Sequence, residues 1–122
     1  MAALKIAFEA PDNSGGACPS KSRPIDLVHL ATQTMGDKLV EIEVLQMFAR
    51  QSRQLMKDLS SDSHDERTAA AHRLKGASLA VGAFRVADAA AAVEDAPHDA
   101  GALATLGAAV IEAEVFVLKL CR

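Results

Sequence analysis

Mainly apolar residues recur at alternating spacings of three and four along two long stretches of the chain, and this spacing restricts the fold more than any other feature. A helix turns once in about 3.6 residues, so such a repeat lines up on one helical face. Within 38–59 the face is formed by Glu41, Leu45, Phe48, Ser52, Leu55 and Leu59. Within 100–120 it is formed by Leu103, Leu106, Val110, Ala113, Val117 and Leu120. Helices with such faces bury them against one another, so a helical bundle is predicted.

Turn and capping residues divide the rest of the chain after residue 24 into further helices. Asp37 is suited to cap the helix over 38–59. Ser63 and Glu66 fit a capping box, in which Ser63 accepts from the third helical amide and the Glu66 side chain reaches back to the cap. Gly82 is a natural end for the helix that starts there. The predicted helices cover about 26–33, 38–59, 63–81, 84–96 and 100–120.

Composition supports an all-α fold, because the chain is rich in alanine and contains only four aromatic residues, all of them Phe. Four amphipathic helices with short connections predict an antiparallel four-helix bundle, preceded by a short N-terminal helix. Residues 1–23 are expected to form a flexible tail, since 11–24 is rich in Pro, Gly and Ser. Within this tail, 4–8 fits either a short strand or a loose apolar arm. The bundle domain is therefore assigned to 24–122.

Charge and cysteine content narrow the partners and the compartment. With 13 basic and 16 acidic residues and a net charge of −3, the chain lacks the basic excess of nucleic-acid-binding proteins. Cys18 and Cys121 form no motif and are expected to be reduced. No uninterrupted run approaches the ~18 apolar residues of a membrane span, and no secretory leader is evident. A soluble cytoplasmic protein without nucleic-acid or membrane partners is predicted.

A monomer is the expected oligomeric state. The last predicted helix is nevertheless apolar on more than one side, because further large apolar residues flank its seam. These flanking residues, which leave a weak dimer open, are Ile111, Val115 and Leu118.

The stretch AHRLKGASLAVGA over 71–83 stands out, because a helix gives up stability there for a glycine in mid-run. At about 100° per residue, His72 lies opposite the inward side and therefore points at solvent. Lys75, Gly76 and Leu79 lie on the same side as His72, and Thr68 lies one turn before it. The predicted inward residues are Ala70, Leu74, Ala77 and Val81.

An exposed imidazole beside bare backbone and an ammonium group suits phosphoryl chemistry. A neutral imidazole can act as a nucleophile, and attack on phosphorus forms a phosphohistidine. Lys75 can donate charge-assisted hydrogen bonds to a phosphoryl oxygen, and Gly76 removes a side chain that would hinder a partner. Leu79 is a candidate partner contact. The plainer interpretation is a surface histidine together with a glycine that allows close packing.

The run HRLKGAS at 72–78, followed by GA at 82–83, resembles the histidine phosphotransfer (HPt) domain of bacterial phosphorelay signalling. The likeness extends over about 24–121, and Val93-Glu94 is similar to the pair that usually closes the helix after the histidine helix. The resemblance implies that His72 accepts a phosphoryl group from a receiver-domain aspartate of a hybrid histidine kinase and passes it to a response regulator. Lys75 would steady the phosphoryl group and Gly76 would leave room for the receiver domain.

The same resemblance implies a phosphocarrier rather than an enzyme, because such domains have no ATP site of their own. No cofactor is expected in the chain, and the Mg²⁺ would belong to the partner receiver domain. Ser78 would have either a direct role or that of a small bundle residue, and Glu94 would be either a neighbour of the histidine or a surface charge. Arg73 occupies a position that varies in the family.

Three other interpretations remain. The chain could be the phosphoacceptor domain of a larger histidine kinase, although Met1 favours a complete chain, or it could be a receiver-binding scaffold that is never phosphorylated. A metal-binding bundle is disfavoured, because no Glu-x-x-His pairs project inward and no metal ligands are predicted. The remaining histidines are interpreted as scattered surface or loop residues: His29, His64 and His98.

Overall fold

The computed structural model describes residues 23–121, which form five helices and no strand. The helices are α1 (Leu27–Thr34), α2 (Lys38–Leu59), α3 (His64–Val81), α4 (Phe84–Asp95) and α5 (Ala100–Leu120). Each of the four longer helices packs against two others in the order α2, α3, α4, α5 and back to α2. Short loops join them, so neighbours run antiparallel and the predicted all-α bundle is confirmed. Of the predicted 1–23 tail, residues 1–22 lie outside the described residues, and so do the strand or arm at 4–8 and Cys18.

The core forms where the predicted seams meet. All six residues of the α2 face are buried, including Glu41 and Ser52. Four of the six predicted α5 positions are buried: Leu106, Val110, Ala113 and Val117. Leu103 is half-buried, and Leu120 is wrongly assigned to the seam, since it is 41% exposed. Leu120 lies in the last turn of its helix, where the seam continues in sequence beyond the buried part of the bundle.

Side-chain caps fix where the helices begin. Asp26, Asp37 and Asp99 each accept hydrogen bonds from two amides of the following first turn, which stabilises α1, α2 and α5. Ser63 accepts from the Glu66 amide at the start of α3, as the capping box predicts.

The second half of that predicted capping box is wrong. The Glu66 carboxylate does not reach the Ser63 amide but accepts from the Ser61 hydroxyl. The Ser61 oxygen in turn accepts from the Ser63 amide at 3.1 Å. The Ser61 hydroxyl therefore lies between the Ser63 amide and the Glu66 carboxylate, and it provides the hydrogen-bond acceptor that the Ser63 amide needs.

The turn between α3 and α4 anchors α1. Gly82 ends α3 with φ of +86°, a left-handed conformation that suits glycine. Its carbonyl accepts from the Asp26 amide at 2.8 Å, and a Cβ added to Gly82 would lie only 2.9 Å from the Asp26 carbonyl oxygen. The His29 ring packs edge-on against Phe84, with ring centroids 5.3 Å apart. The glycine is thus needed both for its backbone conformation and for the close approach of α1.

Helix α5 is the one helix among residues 23–121 that is long and apolar enough to cross a membrane by length and composition, with a mean hydropathy of 1.8 over 18 residues. This stretch does not contain an uninterrupted apolar run, because Glu112 and Glu114 lie within it. Its mean hydropathy is nevertheless high. The helix packs against α4 and α2, and 22% of this window is buried inside the bundle. Its outer face leaves large apolar side chains exposed: Ile111, Val115 and Leu118.

Candidate functional site

His72 lies in the middle of α3 and points away from the core. Its side chain is 70% exposed. The buried residues of α3 are on other sides of the helix, as the helical periodicity requires. They are Ala70, Ala71, Leu74, Ser78 and Val81.

Glu94 of α4 connects His72 to Lys75. Its Oε2 lies 2.9 Å from His72 Nδ1, and its Oε1 lies 2.9 Å from Lys75 Nζ. The hydrogen bond from Lys75 lowers the pKa of the Glu94 carboxyl, and the bond from His72 adds to this against the opposing effect of burial. The carboxylate is therefore ionised near neutral pH and can only accept at both oxygens.

This acceptor determines which imidazole nitrogen carries the proton. Because Glu94 accepts at Nδ1, that nitrogen of His72 carries the proton. In the neutral ring the lone pair then lies on Nε2, at the end of the side chain directed away from Glu94. The contact also fixes the orientation of a ring that is otherwise largely in solvent. The arrangement presents one nucleophilic nitrogen in a defined direction.

The surface next to His72 is bare at Gly76. A Cβ built on Gly76 would meet nothing within 4 Å, so this glycine makes no close packing contact. Its effect is to leave the helix surface beside His72 without a side chain. Leu79 is on the same exposed side and is 46% exposed. Together His72, Gly76 and Leu79 form an exposed strip of α3 with Lys75 at its border.

Three other predicted site residues lie apart from the imidazole contacts. Ser78 is fully buried, and its Oγ donates to the Leu74 carbonyl at 2.6 Å, so it is a bundle residue. The Thr68 hydroxyl donates to the His64 carbonyl at 3.0 Å within the same helix. Arg73 is exposed and lines a surface cavity between α2 and α3.

Sequence reasoning missed the pairing of Lys75 with Glu94, which leaves the ammonium bound to a carboxylate rather than free. A usable signal was present, because His72 and Glu94 are equally far along the chain from Ala83, in the turn between their helices. An antiparallel hairpin brings such positions to the same level. Helical periodicity within a single helix carries no such information.

The fold and the site together describe a helical bundle that presents an exposed histidine held by a carboxylate of the neighbouring helix. A family model described as Hpt domain matches residues 43–115, more than half of the chain, and this range includes His72, Lys75, Gly76 and Glu94. The chain therefore belongs to the Hpt domain family, whose members carry phosphoryl groups in phosphorelay signalling and interact with receiver domains. No curated protein and no solved structure matches the chain significantly.

Proposed function

We propose that His72 accepts a phosphoryl group from a receiver-domain aspartate of a hybrid histidine kinase and passes it to a response regulator in the cytoplasm. The observation that carries this proposal is the exposed imidazole held at Nδ1 by Glu94, beside the bare backbone of Gly76. The chain acts as a phosphocarrier without an ATP site of its own. The Mg²⁺ that supports the transfer belongs to the receiver domain.

The proposed step moves one phosphoryl group between two side chains. The lone pair of His72 Nε2 forms the N–P bond while the P–O bond to the receiver aspartate breaks, and the bonding electrons leave with the aspartate carboxylate. The proton on Nδ1 stays in place, so the phosphorylated ring carries a positive charge. The Glu94 carboxylate, 2.9 Å away, stabilises that charge. Transfer to a second receiver reverses these bond changes.

Lys75 and the exposed strip of α3 assist this step in different ways. The Lys75 ammonium has three donor protons, so it can keep its ion pair with Glu94 and also donate to a phosphoryl oxygen. Gly76 allows a receiver to approach the ring closely, and Leu79 offers it an apolar contact. The exposure of Leu79 on this strip supports a docking role.

Transfer of phosphate from a phosphorylated receiver domain in the presence of Mg²⁺ tests the proposal. The wild-type chain is expected to acquire acid-labile phosphate, whereas His72→Gln stays folded and acquires none. His64→Gln is the matched control, because it removes another exposed histidine from the same helix. Equal labelling of His72→Gln and the wild type would exclude His72 as the acceptor.

A second assay addresses the interpretation as the phosphoacceptor domain of a larger histidine kinase. The purified phosphorylated chain is mixed with an unphosphorylated receiver domain and Mg²⁺. Loss of label from the chain and its appearance on the receiver supports a carrier between two receivers. A chain that is labelled only by a kinase ATP-binding domain, and by no phosphorylated receiver, would support the kinase-domain interpretation instead.

A further inference from the structure

Two histidines that are far apart in sequence meet at one end of the α3–α4 hairpin. His64 is the first residue of α3 and His98 lies in the loop between α4 and α5. His64 Nδ1 is 3.1 Å from His98 Nε2, and the ring centroids are 5.0 Å apart. Both side chains are exposed, as the sequence predicts, but the expectation that these histidines are scattered is wrong for this pair.

The backbone around both histidines is held by groups other than the rings themselves. The Arg67 guanidinium donates from Nε to the Ser61 carbonyl at 2.6 Å and from Nη1 to the Pro97 carbonyl at 3.0 Å. One half-buried side chain therefore joins the loop before α3 to the loop that carries His98. The backbone positions that carry the two imidazoles are thus held together by contacts that do not involve the rings.

We propose that His64 and His98 form a two-histidine chelate for a late first-row divalent cation, such as Zn²⁺, Ni²⁺ or Cu²⁺. Imidazole nitrogens bind such a metal at about 2.0–2.1 Å, so two of them lie about 3.0 Å apart at a right angle and about 3.4 Å apart in a tetrahedral site. The observed 3.1 Å lies within this range. Without metal, one of these two nitrogens carries a proton and donates it to the other. Metal binding moves that proton to the second nitrogen of the same ring, so that each ring is neutral with a lone pair on the nitrogen facing its partner, and modest rotation of the exposed rings turns both lone pairs toward a shared cation.

The ligand set determines which cation fits. Within residues 23–121, no group of three or more His, Cys, Asp or Glu side chains is placed to hold a metal, so water completes the coordination of the bound ion. Two neutral imidazoles favour late transition metals over Mg²⁺ and Ca²⁺, which prefer oxygen ligands. His64 is eight residues from His72, which is roughly 12 Å along the helix. The cation site is therefore separate from the phosphoacceptor.

Calorimetric titration of the full chain with NiCl₂ at neutral pH, without an affinity tag, tests the site. One bound ion per chain is expected. His64→Ala and His98→Ala are each expected to weaken binding by about a hundredfold or more, because either change leaves a single ligand where a chelate had two. His72→Gln and His29→Ala are the matched controls and are expected to bind as the wild type does. The two cysteines stay in all variants, so any thiolate contribution is common to them.

Thermal unfolding with and without millimolar NiCl₂ gives a second readout. The bound ion links α3 to the α4–α5 loop only in the folded state, so it raises the unfolding temperature of the wild type but not of the two alanine variants. Circular dichroism checks that these variants are folded. Absence of binding up to millimolar Ni²⁺, or equal binding by His64→Ala and the wild type, would overturn the proposal. Loss of binding in His72→Gln would assign the ion to the phosphoacceptor site instead.

Discussion

Helices α2 and α3 are both central to the bundle, but they follow its packing pattern to different degrees. In α2, every residue of the predicted face is buried, so its periodicity and its packing coincide. In α3, the buried residues share the helix with an unpacked glycine and an exposed histidine, Gly76 and His72. Exposed leucines occur on both helices, Leu39 on α2 and Leu79 on α3, so the difference lies in the glycine and the histidine. Helix α3 therefore keeps features that do not stabilise the fold, as expected for a helix that carries the proposed phosphoacceptor site.

The largest expected difference within α3 is between its two central leucines. Leu74 is fully buried, so Leu74→Ala should lower the free energy of unfolding by about 2–5 kcal/mol. Leu79 is exposed, so Leu79→Ala should change it by less than about 0.5 kcal/mol and should slow phosphoryl transfer from a receiver. Urea unfolding and a transfer time course measure the two effects. Equal losses of stability would mean that both leucines serve packing, and the proposed contact of Leu79 with a receiver would lose its support.

The next largest difference is expected between the two glycines of the HRLKGAS–GA stretch. Gly82→Ala should cost about 1–3 kcal/mol of stability, because the residue has a positive φ and Asp26 lies against it. Gly76→Ala should instead add about 0.5–1 kcal/mol, since this helical position is open. Both values come from thermal or urea unfolding of the purified variants.

The Gly76→Gln variant tests whether Gly76 lets a receiver domain approach His72 or serves the packing of the bundle. The longer side chain should slow transfer from a receiver while slightly stabilising the helix, because glutamine is a better helix former than glycine. Loss of both stability and transfer would show that Gly76 is a packing residue. In that case α3 would resemble α2 more closely than we infer.

The smallest expected effect on stability comes from the contact of Glu94 in α4 with His72 and Lys75 in α3. The pKa of Glu94 is lowered in the folded state, chiefly by its hydrogen bond from Lys75, from an ordinary value of 4.5. As the pH falls below 4.5, the Glu94 carboxylate of the unfolded chain takes up a proton before that of the folded chain does. The contribution of Glu94 to stability is therefore present above pH 4.5 and is lost as the pH falls through the lower pKa of the folded state. The contribution should be under about 1 kcal/mol, because the ion pair lies near the surface.

Urea unfolding of the wild type and Glu94→Gln over a series of acidic pH values measures this effect. The advantage of the wild type should shrink as the pH falls and should be constant at neutral pH. A difference that does not change with pH would show that the Glu94 charge makes no contribution to stability.

Local signals in the sequence were enough to predict most of the fold. Helix bounds follow from caps such as Asp37 and from the stop at Gly82, because both act on the adjacent backbone. The failures came where a neighbouring group competed, as when the Ser61 hydroxyl took the place of the Ser63 amide at Glu66. The exposed Leu120 shows that a seam can continue in sequence after the buried part of the bundle has ended.

The sequence by itself determined the helices, their buried faces and the exposed position of His72, because these depend on periodicity within one helix and on local capping. Only the tertiary structure decided that Glu94 is hydrogen-bonded to His72 and ion-paired with Lys75, that Gly82 is confined by Asp26, and that His64 meets His98. Each of these contacts joins residues from different helices or loops. Their distances depend on how the antiparallel helices are packed, and no single segment contains that information.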